Sequence, residues 1–278
     1  MVQRQRPRPH PGPPAHRPHP GPPAHRPHPR PPAAPRDTAE TTHGLRAGIA
    51  VVARRPDDVL RVAFTREVRG ELGDVVRACA ARRIPCEEAS GAELERIAES
   101  AQHEGLCVSA RARRWLSTGE LADVVAGGKG TALALDRVRN PYNVGAILRS
   151  AAFFGVDAML LGTPAPHPGL APTAVRVAEG GAEHVRLART TDLADTLARL
   201  RGRGVRVVGA DGGATTGAAG FSFGRPVVLV VGNEREGLGE RVRAQCDAVV
   251  GVRGTGSIES LNVAVASGVL VAEMTRRA

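Results

Sequence analysis

The chain contains 278 residues, of which 42% are hydrophobic, so it is long enough for two modest domains with buried cores. Its 38 basic residues outnumber its 28 acidic residues, and the net charge of +10 favours an anionic partner such as nucleic acid. No apolar run is long enough to span a bilayer, and residues 1–35 lack the apolar segment of a secretory signal. We therefore expect a cytoplasmic protein without a membrane partner.

The cysteines are scattered along the chain and form no C-x-x-C pair; they are Cys79, Cys86, Cys107 and Cys246. This pattern is typical of reduced thiols and favours neither a disulfide framework nor a zinc site. We therefore predict no metal site, although the histidines of the N-terminal repeat leave metal binding open as a weaker alternative.

The N-terminal tail, which we place at residues 1–42, is rich in proline, histidine and arginine. The first 36 residues hold 14 of the 22 prolines, and the repeat HPGPPAHRP begins at His10 and again at His19. Proline removes amide donors and fixes φ, so we predict a disordered or polyproline-like segment. Two interpretations stay open: a basic arm that touches nucleic acid, and a solvated low-complexity tail.

Residues 43–115 predict a small α/β domain. HGLRAGIAVVARR and GELGDVVRACAARR have helical spacing, whereas DVLRVAFT, RIPCEEA and LCVSA are typical of short strands. The stretch 116–130 is polar and ends in a glycine-rich sequence, so we interpret it as a linker with a hinge at 126–130.

Residues 131–278 predict a second α/β domain, in which apolar strands alternate with amphipathic helices. The strand candidates are TALALD, VDAMLLG, VRVVGAD, PVVLVVG and DAVVGV, and the helix candidates lie near 144–154, 191–203 and from about Ser260 onward. This alternation indicates a mostly parallel sheet covered on both faces. Ligands bind such sheets at the carboxyl ends of the strands, so the segments ending at Asp211, Gly232 and Val252 are the candidates for a site.

Three polar segments follow strands of this domain. The first, DRVRNPYNVGAILRS, places Asn143 where it could cap a helix and Arg149 six residues further on. The second, VVLVVGNEREGL, is a buried strand with a glycine-bracketed polar loop. The third, VRGTGSIESLNVAVA, is a glycine-rich loop that leads into an apolar helix. Each alone fits an ordinary cap, surface ion pair or turn, but the three in this order are far more specific.

Together, the motifs NPYNVGAILRS, GNEREGL and SIESLNVAVA resemble the SpoU (TrmH-like) family of RNA ribose methyltransferases, of the SPOUT class. The resemblance covers 131–278 and, more weakly, 43–115, which resembles the small L30e-like substrate-binding domain of many members. It implies S-adenosylmethionine-dependent methylation of a ribose 2′-hydroxyl in structured rRNA or tRNA. It also implies a C-terminal trefoil knot and a homodimer.

The resemblance assigns roles to individual residues. The positions that match the cofactor-binding segments are Gly232, Asn233, Val252 and Leu261. The positions that match the polar catalytic set are Asn143, Arg149, Glu234, Ser260 and Asn262. Arginine is a poor base at neutral pH because its side chain holds its proton up to a pKa above ~12. We therefore interpret Arg149 as an electrostatic clamp on the phosphate and the developing alkoxide. A role as the base is the alternative.

Two other functions remain as alternatives. The glycine-rich stretch 209–213 follows a strand and suggests a nucleotide-dependent oxidoreductase, but it lacks a true G-x-G-x-x-G motif. The second alternative is a non-catalytic RNA-binding protein that retains the fold. The intact set of polar residues argues against it; the set comprises Asn143, Arg149, Ser260 and Asn262. Asn140 stands where the family often has aspartate, and H-E-G at 103–105 replaces a common H-Q-G, so the RNA target stays open.

Overall fold

The structure is a computed structural model that describes residues 39–162 and 170–276. The predicted conformation of the proline-rich tail concerns residues 1–38 and lies outside the described residues. The boundary that we placed at residue 42 is wrong, because Ala39–His43 form a strand paired with Leu106–Arg111. Its threonines favour a strand, and its last two side chains are buried.

The small domain contains a mixed sheet with three helices packed around it. In the described residues its strands are β1 Ala39–His43, β2 Val59–Phe64, β3 Cys86–Glu88 and β4 Leu106–Arg111, in the order β1-β4-β2-β3. Its α-helices are α1 Leu45–Arg54, α2 Gly73–Arg82 and α3 Gly91–Ala98. The two predicted helices and three predicted strands are present. β1 and α3 were not predicted, although a Ser90–Glu93 capping box starts α3.

Much of the expected linker at 116–130 is instead a helix, α4, spanning Thr118–Ala126. Ser117 caps it: its hydroxyl accepts a hydrogen bond from the Glu120 amide at 3.2 Å, and the Glu120 side chain bonds back to Ser117. Leu121 and Val125 are fully buried in a core formed with the second sheet. The linker interpretation was therefore wrong for 118–126, where the capping box was the overlooked signal.

The second domain contains a parallel sheet of seven strands in the described residues. They are β5 Thr131–Asp136, β6 Ala158–Gly162, β7 Arg186–Thr190, β8 Arg206–Ala210, β9 Thr216–Gly217, β10 Val227–Val231 and β11 Ala248–Gly251, in the order β7-β6-β5-β10-β8-β11-β9. The α-helices are α5 Pro141–Phe153, α6 Pro172–Val177, α7 Leu193–Gly202, α8 Glu240–Arg243 and α9 Val263–Thr275. The parallel α/β prediction is confirmed; among the described residues, no helix is long and apolar enough to cross a membrane.

Both faces of this sheet are covered, and β5 shows how. Its side chains alternate between two cores, as the period of a strand requires. Leu133 and Leu135 enter the core shared with α5 and α9, whereas Ala132 and Ala134 enter the core shared with α4 and α7. The sheet is therefore the middle of three layers, which leaves its edges for a site.

Candidate functional site

The order of the second sheet places β5, β10, β8 and β11 side by side and parallel, so their carboxyl ends meet at one edge. The residues at or just beyond these ends are Asp136, Asp211, Gly232 and Val252. This is the edge at which parallel α/β sheets bind ligands, and all three polar segments begin there.

Asp211, at the end of β8, uses the donors that surround it. The Gly213 amide donates to Oδ1 of Asp211 at 2.8 Å, and Arg243 pairs with Oδ2. The backbone hydrogen bond, with the arginine in support, holds the pKa of Asp211 below its usual range. A pyrophosphate would need such amides for itself, so this loop does not have the arrangement that the oxidoreductase alternative requires.

Two helices begin at this edge, and neither begins where we expected. Asn140 caps α5, since its Oδ1 accepts a hydrogen bond from the Tyr142 amide at 2.9 Å, and Pro141 opens the helix. Asn143 therefore lies within the first turn, and its predicted capping role is wrong. Likewise α9 begins at Val263 rather than near Ser260, and its cap is Asn262.

One residue from each polar segment joins a chain of side-chain hydrogen bonds. Nδ2 of Asn262 donates to Oδ1 of Asn143 at 3.1 Å, and Nδ2 of Asn143 donates to Glu234. Because Oδ1 of Asn262 already accepts from the Ala264 amide, its Nδ2 must face Asn143. The two neighbours of Asn143 thus fix its amide orientation.

The loop that carries Glu234 is folded tightly on itself. A Cβ at Gly232 would lie 2.3 Å from the carbonyl oxygen of Gly237, so only glycine fits without a backbone shift. Oδ1 of Asn233 accepts from the Arg235 amide at 2.9 Å, and Gly237 has a φ of +62°. Gly232 and Asn233, both expected at the cofactor, thereby shape the loop that presents Glu234.

Two residues that support this loop were not among the predicted site residues. Asp136, only 5% exposed, accepts from the Gly239 amide at 2.7 Å. Arg137 donates to the Gly237 carbonyl at 3.1 Å, pairs with Glu236, and has a left-handed φ of +60°. The available signal was a pair of opposite charges directly after a buried strand.

The other predicted residues lie apart from this hydrogen-bond chain. Arg149, on the exposed side of α5, pairs through Nη1 with Oε1 of Glu179 at 2.7 Å. Ser260 is exposed, Leu261 is 48% exposed, and Val252 packs partly against the core. The residues from 253 to 262 are all exposed, so this loop is open to solvent.

Two family models match the chain. Residues 130–272 match the SpoU rRNA methylase family. Residues 43–116 match a domain described as RNA 2′-O ribose methyltransferase substrate binding. The two matches correspond to the second domain and the small domain.

Individual relatives agree with these matches. The chain is 36% identical over 239 residues to a 23S rRNA (guanosine-2′-O-)-methyltransferase, RlmB, of Ralstonia nicotianae, covering 84% of this chain and 93% of the relative. It is 35% identical over 234 residues to an uncharacterized tRNA/rRNA methyltransferase of Mycobacterium avium, covering 84% and 74%. Its fold matches the SpoU methyltransferase AviRb of Streptomyces viridochromogenes, solved with AdoMet, with a TM-score of 0.71 at 21% identity, covering 85% and 89%. The chain therefore belongs to the SpoU rRNA methylase family.

Proposed function

We propose that this protein transfers the methyl group of S-adenosylmethionine to a ribose 2′-hydroxyl of structured RNA. The observation that carries the proposal is the hydrogen-bonded set of Asn143, Glu234 and Asn262, which unites the three family motifs at the carboxyl edge of the sheet. The RlmB relative, named for 2′-O-methylation of 23S rRNA guanosine, supports rRNA as the substrate, and tRNA is the other RNA class that the family resemblance implies. We expect the reaction to take place in the cytoplasm, where these RNAs reside.

The residues at the sheet edge fit S-adenosylmethionine. Ile258 is 82% exposed and Leu261 is 48% exposed in a glycine-rich loop, so an adenosine ring has apolar surface to cover. We assign cofactor binding to Val252, Leu261 and the loop after Gly232. When bound, the cofactor supplies an electrophilic methyl group on a sulfonium.

The protein's own side chains would position the hydroxyl and help it lose its proton. A guanidinium is the side chain best suited to bind phosphate and oxyanions, so we assign Arg149 to the target phosphate and to the alkoxide that develops on the 2′-oxygen. Its side chain is 57% exposed and thus accessible to a large substrate. Asn143 and Ser260 would orient the hydroxyl, while Glu234 holds the Asn143 amide in place.

We further propose that the C-terminal segment forms the trefoil knot of the family. The strand order supports it, because β10 lies between β5 and β8, and β11 lies beyond β8. After β11 the chain returns across the sheet, and α9 packs against α5. Such a return past the earlier strands is what a threaded segment requires. We also assign the small domain to the L30e-like class, on the basis of its mixed sheet and its match to the substrate-binding family.

A homodimer would cover the exposed side of α5 and α9. Apolar and small residues line a groove there: Ala146, Ser150, Phe154, Ala264, Val265, Gly268, Val269 and Ala272. Val265 is 54% exposed and Phe153, beside the groove, is 83% exposed. Contiguous apolar surface of this kind marks an interaction site. Light scattering should report a dimer for the wild type and a monomer for Val269→Asp.

The central experiment measures transfer of a labelled methyl group from S-adenosylmethionine into RNA, followed by mapping of 2′-O-methyl positions. We expect transfer by the wild type and near-complete loss in Arg149→Ala, with cofactor binding retained. Arg199→Ala is the matched control, because Arg199 also forms an exposed ion pair on a helix, at 3.0 Å from Asp195. RNA binding without any methyl transfer by the wild type would instead support the non-catalytic alternative.

A further inference from the structure

The segment 172–183 contains α6 and a short 3-10 turn at Gly181–Glu183. Its α6 end is fixed to the small domain. Arg176 pairs with Glu104 at 3.0 Å and donates to Oε1 of Gln102 at 2.5 Å. Glu104 also accepts the amide of Leu45, the first residue of α1. The α6 end of the segment is therefore held by two side chains of the 102–104 stretch, one of which also accepts the first amide of α1.

The other end of the segment is held by a buried ionic cluster. Glu183, with a side chain only 3% exposed, lies 2.7 Å from Nε of Arg55 and 3.2 Å from Nη1 of Arg113. Both arginines also contact Glu40, at 2.8 Å and 3.1 Å. Each charge is thus paired more than once, which fixes its geometry. The segment is anchored on both sides of its central turn.

The central turn, residues 179–181, rests directly on α5. A Cβ at Gly181 would lie 3.0 Å from the Leu148 carbonyl and 3.2 Å from Cα of Arg149. Glu179 has a φ of +44°, in the left-handed region that favours glycine, and Gly180 follows at +92°. A side chain kept at a strained position, where glycine would fit better, is typical of a residue with a functional role.

We propose that Glu179 is a positioning residue for Arg149. This inference rests on the proposed role of Arg149 in methyl transfer. The Glu179 carboxylate lies 2.7 Å from Nη1 of Arg149. It is the one ion-pair partner of Arg149 among the described residues. Nε and Nη2 therefore stay available for the phosphate and the 2′-oxygen, on a guanidinium whose direction is already set.

Stability does not explain the pair. Both side chains are well exposed, at 57% and 42%, and exposed ion pairs contribute little to folding. An unpaired exposed arginine samples many rotamers, and a carboxylate presented from a fixed turn removes most of that freedom before RNA arrives. The expected benefit is therefore in the rate of methyl transfer rather than in folding.

The test compares kcat and KM for RNA in full-length Glu179→Ala, Glu179→Gln and wild type. We expect Glu179→Ala to lower kcat by about 10-fold, since a misplaced catalytic group costs rate, with KM for RNA little changed. Glu179→Gln should lie between them, because its amide oxygen can still contact Nη1 of Arg149 but carries no charge. Asp195→Ala, which removes the equivalent exposed partner of Arg199, should leave both constants unchanged.

Glu179→Gly separates the carboxylate from the backbone. Glycine relieves the left-handed conformation, so Tm should be equal to or above that of the wild type, while kcat falls as far as in Glu179→Ala. An unchanged kcat in both variants, or a lower KM with unchanged kcat, would overturn the proposal; the second result would make Glu179 a competitor of phosphate.

If Arg149→Ala is inactive while the Glu179 variants match the wild type, this inference alone fails. If Arg149→Ala stays active, the proposed role of Arg149 fails and this inference with it.

Discussion

Arg149 is the residue at which the two proposed mechanisms differ. A clamp needs the planar guanidinium with its parallel donors. A base needs only a nitrogen that is unprotonated and can accept the proton of the 2′-hydroxyl. The exposed side chain, held 2.7 Å from a carboxylate, presents the planar group to a large substrate and so favours the clamp. Lysine keeps the charge but not the fork, so it distinguishes the two roles.

We expect Arg149→Lys to reduce methyl transfer by on the order of 10²-fold at neutral pH, as when an oxyanion donor is lost. Cofactor binding, measured by calorimetry, should not change. A base mechanism predicts a different pH profile: lysine titrates near 10.4, so activity would rise steeply toward that pH. Near-wild-type activity of the lysine variant at high pH would restore the base model.

Gly232 offers a second test at the residue scale. Even a methyl group there would overlap the Gly237 carbonyl at 2.3 Å and the Leu238 amide at 2.7 Å. We expect Gly232→Ala to displace the loop of Glu234, to lower the free energy of unfolding by about 1–3 kcal/mol, and to weaken S-adenosylmethionine binding. Calorimetry and urea unfolding measure the two effects.

The matched control is Gly202→Ala at the end of α7, where an added Cβ would meet nothing within 4 Å. It should keep wild-type stability and affinity. Unchanged affinity in Gly232→Ala would show that the loop can move aside and that this glycine does not shape the site.

The individual site residues could be predicted only as members of motifs. Asn143 lies 91 positions from Glu234 and 119 from Asn262, so no local pattern could reveal their hydrogen bonds. Local rules placed the cap at Asn143, whereas the helix is capped by Asn140 and opens with Pro141. Glu179 carries no signal beyond a charge before two glycines, since its importance lies in what the fold brings near it.

At the scale of elements, the prediction succeeded where burial dominates the sequence. β10 is a run of five buried apolar residues, which cannot be mistaken for a loop. β7, with the sequence RLART at the sheet edge, was missed because two arginines interrupt its apolar pattern. α4 was missed because the glycine-rich residues after it suggested a linker. β1 was missed because the low-complexity residues before it suggested a tail.

β1 leads to a prediction about truncation. Removal of residues 1–37 should leave Tm unchanged, because a proline-rich repeat contributes no core. Removal of residues 1–43 also deletes β1, exposes the edge of β4 and loses the buried side chains of Thr42 and His43. We expect a Tm lower by at least about 5 °C in the longer deletion, as measured by calorimetry.

The shorter deletion also separates the two interpretations of the tail. A basic arm that touches RNA predicts weaker RNA binding and a shallower dependence of affinity on salt in the truncated protein. A solvated tail predicts no change in either. Equal Tm values for the two deletions would contradict the assignment of β1 to the folded domain.

At the scale of the molecule, the ionic cluster of Glu183, Arg55, Arg113 and Glu40 joins the small domain to the methyltransferase domain. Burial lowers the pKa of the Arg55 guanidinium, but the charges of Glu183 and Glu40 outweigh it and raise the pKa overall. Arg55 therefore stays charged, and its stabilisation depends on both carboxylates. RNA bound to the small domain and the 2′-hydroxyl at the site belong to one substrate, so a fixed relation between the domains favours the reaction.

Glu183→Gln should break this connection. It leaves two largely buried arginines short of a counter-charge, which costs about 3 kcal/mol in the free energy of unfolding. The control is Glu87→Gln, which removes a pair with Arg61 whose side chains are about half exposed, and which should change stability by less than about 1 kcal/mol. Because the lost contacts lie between the domains, the small domain should unfold first in Glu183→Gln, as a separate calorimetric transition. A single transition at the wild-type temperature would mean that the apolar contacts alone hold the two domains together, and that the cluster sets their geometry without contributing to their cohesion.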